Sequence, residues 1–344
     1  MLIRRKKNLL SRKIEDETVF IVFDMEWNQP FPGKSYPFDV SALSGEIIEI
    51  GAVKYVYDSG MLIQKDIFSC DVRPQKYTKI HYHVKKVTHK SNEDLQNGLS
   101  FEEAYKKFRE FCGDDFILTG WGNSDPDMLK TNLKFFEMDD KLNCFFLDIQ
   151  PIFSMFSGER GKQRSVEFAV DYYGIPKIDS FHSATADARY TGEIFKRIFD
   201  CNKTSEVLSV ISSSSIDPDL KREYVNVSAE ADTPEDALSL VKGWTCICPI
   251  CSMKFHKEIS EFRIRKSVYA LYACDTHGEF FSRTRVKKNK SGHYYAAAVL
   301  RFATQTDYYL VASKREEYER FGAKGAPLKA PEENTEPEEN LSQM

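Results

Sequence analysis

The sequence predicts an α/β fold followed by a smaller β-rich, metal-holding unit, and three observations carry that reading. Runs of β-branched and aromatic residues give way, from residue 101 onward, to strand-like runs alternating with helical periodicity. The first of these runs, Val19 to Phe23, leads straight into Asp24-Met25-Glu26, two acids one residue apart. Cys246, Cys248, Cys251 and Cys274 crowd together after a polar stretch, which in a chain of cytosolic character favours a metal over disulfides.

With 344 residues, 42% hydrophobic and 13% aromatic, the chain has material for two domains. It holds no run of about 18 apolar residues and no apolar leader, so no membrane association is expected and the cytoplasm is the expected location. The net charge of -4 hides an uneven distribution. Residues 1–13 carry six basic groups and no acid; Lys242 to Phe321 carries fifteen Lys and Arg against eight acids; Gly322 to Met344 carries five Glu and two Lys.

Taken in order, residues 1–17 read as a basic arm. Val19 to Asn28 is the first strand, and the Pro- and Gly-punctuated stretch Gln29 to Gly45 is a loop beside it. Glu46–Tyr57 and Met61–Val72 flank the turn signal Asp58-Ser59-Gly60, so the sheet should begin with three antiparallel neighbours. Arg73 to Ser100 is irregular, with Pro74 breaking the strand and Val87-Thr88-His89 in a polar loop or short helix. Phe101–Cys112 repeats apolar residues at helical spacing behind a Ser100/Glu103 capping box. A short buried strand, Phe116 to Thr119, ends at Gly120-Trp121-Gly122, and a helix is expected over Asp127–Phe136. Then follow a strand at Cys144–Leu147 and helices near Ile149–Phe156, Val166–Tyr173 and Thr185–Phe199. These define a first domain over residues 18–200. Residues 201–232 read as a linker with room for a marginal helix, 233–321 as the second domain, which begins with a helix capped by Thr233 and stopped at Gly243, and 322–344 as a disordered acidic tail.

The chemistry gathers on a few positions. Alternate strand residues share a face, so Asp24 and Glu26 point the same way, and burying that much negative charge asks for a divalent metal or a strong cation. Asp125 lies where a loop enters a helix; Met128-Leu129 phasing favours it over Asp127. His182 and Asp187 stand at the start of another helix, whose first residues are small enough to permit close approach.

Asp24-x-Glu26, then Asp125 after a strand, then His182 with four residues before Asp187, resembles the three motifs of the DEDD exonucleases in the subgroup with histidine in the third. The resemblance covers about Thr18 to Asp200. Trp121-Gly122-x-x-Asp125, Lys79-Ile80-His81-x-His83 and Val87-Thr88-His89 look most like the histone-mRNA and RNA-interference-associated 3′–5′ exonucleases and their bacterial KapD-like relatives. It implies a ribonuclease H-like mixed sheet flanked by helices. It also implies two Mg²⁺ or Mn²⁺ ions held by Asp24, Glu26, Asp125 and Asp187, with His182 as general base. Asp24, Glu26 and Asp187 would take the tighter ion, and Asp24 with Asp125 the one that substrate helps complete. The implied reaction releases nucleoside 5′-monophosphates from 3′ ends of single-stranded RNA or DNA. Met25, Trp27, Asn28, Trp121 and Asn123 are the expected substrate contacts, with Trp27 or Phe31 as a base-stacking ring.

In the second domain, Cys248-x2-Cys251 and Cys274-x2-His277 have the spacing of a four-ligand structural zinc site in a zinc-ribbon-like unit; Cys246, His256 and His293 are rival ligands. Basic and aromatic residues around these knuckles suit nucleic acid, or else a protein partner. A non-catalytic nucleic-acid-binding adaptor built on the zinc unit is the competing function.

Overall fold

The structure is a computed structural model that describes residues 12–159, 163–219 and 223–325. Most of the basic arm and of the acidic tail therefore lie outside the described residues. The chain begins with a meander: β1 (Val19–Asn28), β2 (Glu46–Asp58) and β3 (Met61–Asp71). The β2–β3 turn is made by Ser59 and Gly60, both with positive φ, as a tight hairpin requires. Two short helices, α1 (Tyr82–Thr88) and α2 (Asn92–Leu95), occupy the irregular stretch, the first of them ending at Thr88, where a loop or short helix is expected. Then come α3 (Phe101–Cys112) with its Ser100/Glu103 capping box, β4 (Ile117–Gly120), α4 (Ser124–Phe135), β5 (Phe145–Asp148), α5 (Ile149–Phe156), α6 (Val166–Tyr173) and α7 (Ala184–Cys201).

The strand order is β3-β2-β1-β4-β5, antiparallel in the meander and parallel from β1 to β5. Alternation along β1 fills two cores. Phe20 and Val22 face α5, α6 and α7, whereas Ile21, Phe23 and Met25 face α3 and α4. Asp24 and Glu26 continue the α7 side, which is why acids from β1 and α7 meet. Helix α7 lies flush on β2 at Gly51, where an added Cβ would sit 2.2 Å from the Ala184 carbonyl carbon and the Thr185 nitrogen.

The stretch expected to be a linker is structured. Helix α8 (Thr204–Ser214) buries Val207, Val210 and Ile211 in the first core despite its serines. Ile216 bridges to Phe146 of β5, and Asp219 accepts hydrogen bonds from Leu142 N and Asn143 N and pairs with Lys130 at 2.8 Å. Packing outweighs the weak helix propensity of serine here. Strand β6 (Glu223–Val227) then joins a second, antiparallel sheet, β6-β10-β9-β8-β7, with β7 (His256–Ile264), β8 (Ser267–Cys274), β9 (Gly278–Lys288) and β10 (Tyr294–Phe302).

Helix α9 (Pro234–Thr245) covers one face, its Ala237 and Val241 on Ala296 and Ala298; it runs through Gly243 rather than stopping there. Helix α10 (Gln305–Phe321), opened by a Thr304/Asp307 capping box, covers part of the other face and lays Tyr309 against the first core. A cavity of about 880 Å³ separates the domains, with Asn123, Asp127 and Gln150 on one wall and Tyr269, Arg283 and Arg301 on the other. No helix among the described residues is long and apolar enough to cross a membrane.

Candidate active site

The ends of β1, β4 and α7 converge. Asp125 sits in the first turn of α4, which starts three residues earlier than its periodicity suggests because Pro126 is tolerated in a first turn, where backbone N–H groups lack helical partners. Its Oδ1 accepts the Met25 N–H at 3.1 Å, which ties the acid to the strand between Asp24 and Glu26. Asp187, in the first turn of α7, accepts the His182 N–H through Oδ2 at 3.0 Å, while its Oδ1 is buried with no hydrogen-bond partner. His182 is exposed at the rim and holds a left-handed backbone with φ of 66°. Glu26, His182 and Asp187 each bring a ligand atom within 4.8 Å of the others. All five sequence-predicted acid and histidine residues therefore belong to one place.

The acids strain against one another. Burial first, then repulsion from Asp125, Asp187, Glu26 and Glu49, holds the Asp24 carboxyl well above the usual range. Glu26 is pushed up to about 8 by burial, Asp187, Glu49 and Asp125, with Lys90 opposing. Burial raises Asp125 to about 7 against the Met25 N–H, and burial likewise raises Asp187 against the His182 N–H. An orphaned buried oxygen among mutually repelling carboxylates fits hard divalent cations, which take oxygen ligands.

These shifts set a pH dependence. A carboxyl whose folded pKa is raised favours folding fully below its unfolded value near 4, and loses that contribution as pH rises through the folded value, here about 7 for Asp125 and about 8 for Glu26. With Asp125 titrating over about two units and Glu26 over about three in this window, at about 1.4 kcal/mol per unit, the metal-free protein should lose several kcal/mol between pH 5 and pH 8. Urea melts in EDTA at the two pH values measure this, and Mn²⁺ should flatten the profile; equal stability at both without metal would contradict it.

Glu49 escaped the sequence reading. It stands opposite Glu26 on β2, only 3% exposed, where Ser183 Oγ donates to its Oε1 at 3.1 Å and Lys90 Nζ lies 3.2 Å from its Oε2. The signal was an acid inside the apolar run Ile47-Ile48-Glu49-Ile50. By bonding Ser183, which caps α7 without a side-chain cap hydrogen bond, Glu49 fixes the residue next to His182.

Several expected substrate contacts have other work. Asn28 is fully buried and holds the backbone of residues 77–81, and the Met25 side chain is 3% exposed in the core. Trp121 donates Nε1 to Arg164 O at 2.9 Å and packs on Phe153. Trp27 is half-buried against Gly45 and Met128. Asn123 caps α4 without a side-chain cap hydrogen bond and lines the interdomain cavity two residues before Asp125.

The second cluster is Cys248, Cys251, Cys274 and His277. Cys251 and Cys274 Sγ lie 3.7 Å apart, and His277 Nδ1 lies 3.6 Å from both Cys248 and Cys274 Sγ. A zinc tetrahedron with bonds of about 2.3 Å to sulfur and 2.0–2.1 Å to nitrogen has edges of roughly 3.5 to 3.8 Å, so these spacings fit that ion. The rival ligands are engaged elsewhere: Cys246 near Glu261, His256 with Asp275, His293 beside Glu230 and Asp232.

The chain is similar to several known proteins. The RNase_T family model, described as Exonuclease, matches residues 21–195, just over half of the chain. A probable 3′-5′ exonuclease KapD of Bacillus subtilis (strain 168) is 27% identical over 179 residues, covering 52% of this chain and 83% of that protein. DNA polymerase III subunit epsilon of Aquifex aeolicus (strain VF5) is 26% identical over 198 residues, 57% of this chain and 89% of that one. Among solved structures, the nuclease domain of 3′hExo, a DEDDh family member bound to rAMP, aligns with a TM-score of 0.47 at 17% identity, over 55% of this chain and 95% of that one. E. coli Exonuclease I in complex with a dA16 oligonucleotide aligns with a TM-score of 0.48 at 10% identity, over 92% of this chain and 76% of that one. The chain belongs to the exonuclease family and is a DEDD-type 3′–5′ exonuclease.

Proposed function

We propose that this exonuclease removes nucleoside 5′-monophosphates from the 3′ ends of single-stranded RNA or DNA, using two Mg²⁺ or Mn²⁺ ions held by Asp24, Glu26, Asp125 and Asp187. The observation that carries the reading is the set of acids on three converging elements, with Asp187 Oδ1 buried and unpartnered. When bound, such a metal pair supplies positive charge to the attacking and leaving oxygens of a phosphodiester displacement.

The chain's own residues do the rest. Met25 N–H and His182 N–H each hold one oxygen of Asp125 and Asp187, leaving the other oxygen of each acid for a ligand. His182, exposed and tethered by its backbone to Asp187, is the general base that takes a proton from the attacking water. Glu49 through Ser183 keeps that histidine's segment in register with β2. In the second domain Cys248, Cys251, Cys274 and His277 hold one structural Zn²⁺, with no position left for a substrate.

A 5′-labelled single strand with Mg²⁺ or Mn²⁺ tests the reading, the expected products being a ladder shortened from the 3′ end and free 5′-monophosphates. Replacing His182 with alanine should lower kcat by about 10²- to 10⁴-fold. Because the residue is exposed, added imidazole should restore part of that rate. Wild-type protein that binds the strand but leaves it intact with both metals would sink the proposal, and a His182→Ala enzyme at full rate would remove the base.

A further inference from the structure

Beside the acid cluster runs a stretch of opposite character. Residues 73–90 contain six Lys and Arg and no Asp or Glu. The stretch is built into the end of the catalytic strand: Asn28 Nδ2 donates to Tyr77 O at 2.7 Å and Lys79 O at 3.0 Å, and Asn28 Oδ1 accepts the His81 N–H at 2.9 Å. The Glu46 carboxylate, 2% exposed, accepts the N–H groups of Gln75, Lys76 and Tyr77. Asn28 lies two residues beyond Glu26 on β1, about 7 Å along the strand.

Outward from this clamp the side chains of Lys76, Lys79, Lys85 and Lys86 are exposed, as is Lys34 at the tip of the neighbouring loop, and none of the five makes an ion pair among the described residues. Aromatic rings lie between them. Tyr82 is 61% exposed and 4.1 Å from the His83 ring, and Phe31 carries Lys79 Nζ 5.7 Å above its centroid.

The geometry points to a strand-binding ridge: residues 73–90, with Phe31 and Lys34, hold the phosphates and a stacked base of the nucleotides lying 5′ of the one being removed. The inference rests on the exonuclease reading of the adjacent acids. An ordinary solvated lysine face does not need its backbone pinned by two buried side chains at the edge of a catalytic centre; a track that must hold a polyanion in register does. The ridge also answers an electrostatic need, since a strand approaching several carboxylates is repelled unless cations lie along its path. Lysines spaced along a groove with interleaved rings are the arrangement that holds single strands without reading sequence.

The test is binding of a labelled twelve-nucleotide single strand and of a dinucleotide, both in an Asp24→Asn background, which separates affinity from turnover. The four substitutions Lys76→Ser, Lys79→Ser, Lys85→Ser and Lys86→Ser are compared with that parent, after circular dichroism and melting confirm the fold. Twelve-mer affinity should fall at least about tenfold at 0.15 M salt. The slope of log K against log salt should shrink by about 2 to 3, at roughly 0.7 per phosphate contact. The dinucleotide should lose less. The ridge is overturned if twelve-mer affinity and slope match the parent's, if both lengths lose equally, or if the loss appears only with duplex, acidic protein or anionic vesicles. Failure of the exonuclease reading shows separately, as wild-type protein that binds the strand without shortening it in Mg²⁺ or Mn²⁺.

Discussion

Asp24→Asn should lower strand hydrolysis by at least about a thousandfold, because several kcal/mol of charge stabilisation depend on the ions this acid helps to hold. The same change should raise the melting temperature of the metal-free protein at pH 8. Asp24 is crowded by Asp125, Asp187, Glu26 and Glu49, and an amide of equal size removes the repulsion that Asp24 makes with each of the four. Wild-type protein should then gain more stability from Mn²⁺ than the variant does. Activity assays and thermal melts with EDTA or Mn²⁺ read both effects. An Asp24→Asn protein with more than a tenth of wild-type activity, or one destabilised without metal, contradicts the assignment.

Cys274→Ser should be the most damaging single change outside the first domain. Cys248 and Cys274 are 0% and 5% exposed and belong to one small apolar cluster with Tyr272 and Phe280. The knuckle backbone is already folded for ligation: Cys248 N donates to Met253 O and Ser252 N to Cys248 O, each at 2.8 Å. Structural zinc in finger peptides contributes about 10–16 kcal/mol of apparent binding energy. The five-stranded sheet behind the knuckles should keep the loss below that, but still displace melting by on the order of 10 °C or more. Metal analysis should find one zinc per chain, and chelation should reproduce the Cys274→Ser melt. Purified protein with negligible zinc and an unchanged melt in Cys274→Ser would remove the metal from this domain.

Much of the first domain was legible because local signals agreed with the tertiary outcome. The meander announced itself through its apolar runs and Asp58-Ser59-Gly60, α3 through a capping box that forms with both hydrogen bonds, and the acid motifs through their place at element ends. The misreadings came where packing overrides composition. Ser209 to Ser215 looked like linker because serine is a weak helix former, yet Val207, Val210 and Ile211 recur at helical spacing and are buried. Helix α10 hid behind its charges, although Thr304 and Asp307 gave the same capping signal as Ser100 and Glu103. The side-chain duties of Asn28, Trp121 and Glu49 depend on hydrogen-bond partners 43 to 134 residues away and could not be read from spacing.

The position of Asp219 bears on how this protein can be divided. A fragment cut at the sequence-derived boundary near Asp200 would leave behind the helix that completes the apolar floor beneath α7, and the carboxylate that fastens Lys130, Leu142 and Asn143. A fragment that ends at Asp219 keeps both. Even there, Tyr309 reaches back from α10 to the nuclease core, so a cut after Asp219 still strips an aromatic ring from the α5 and α8 side of the first domain.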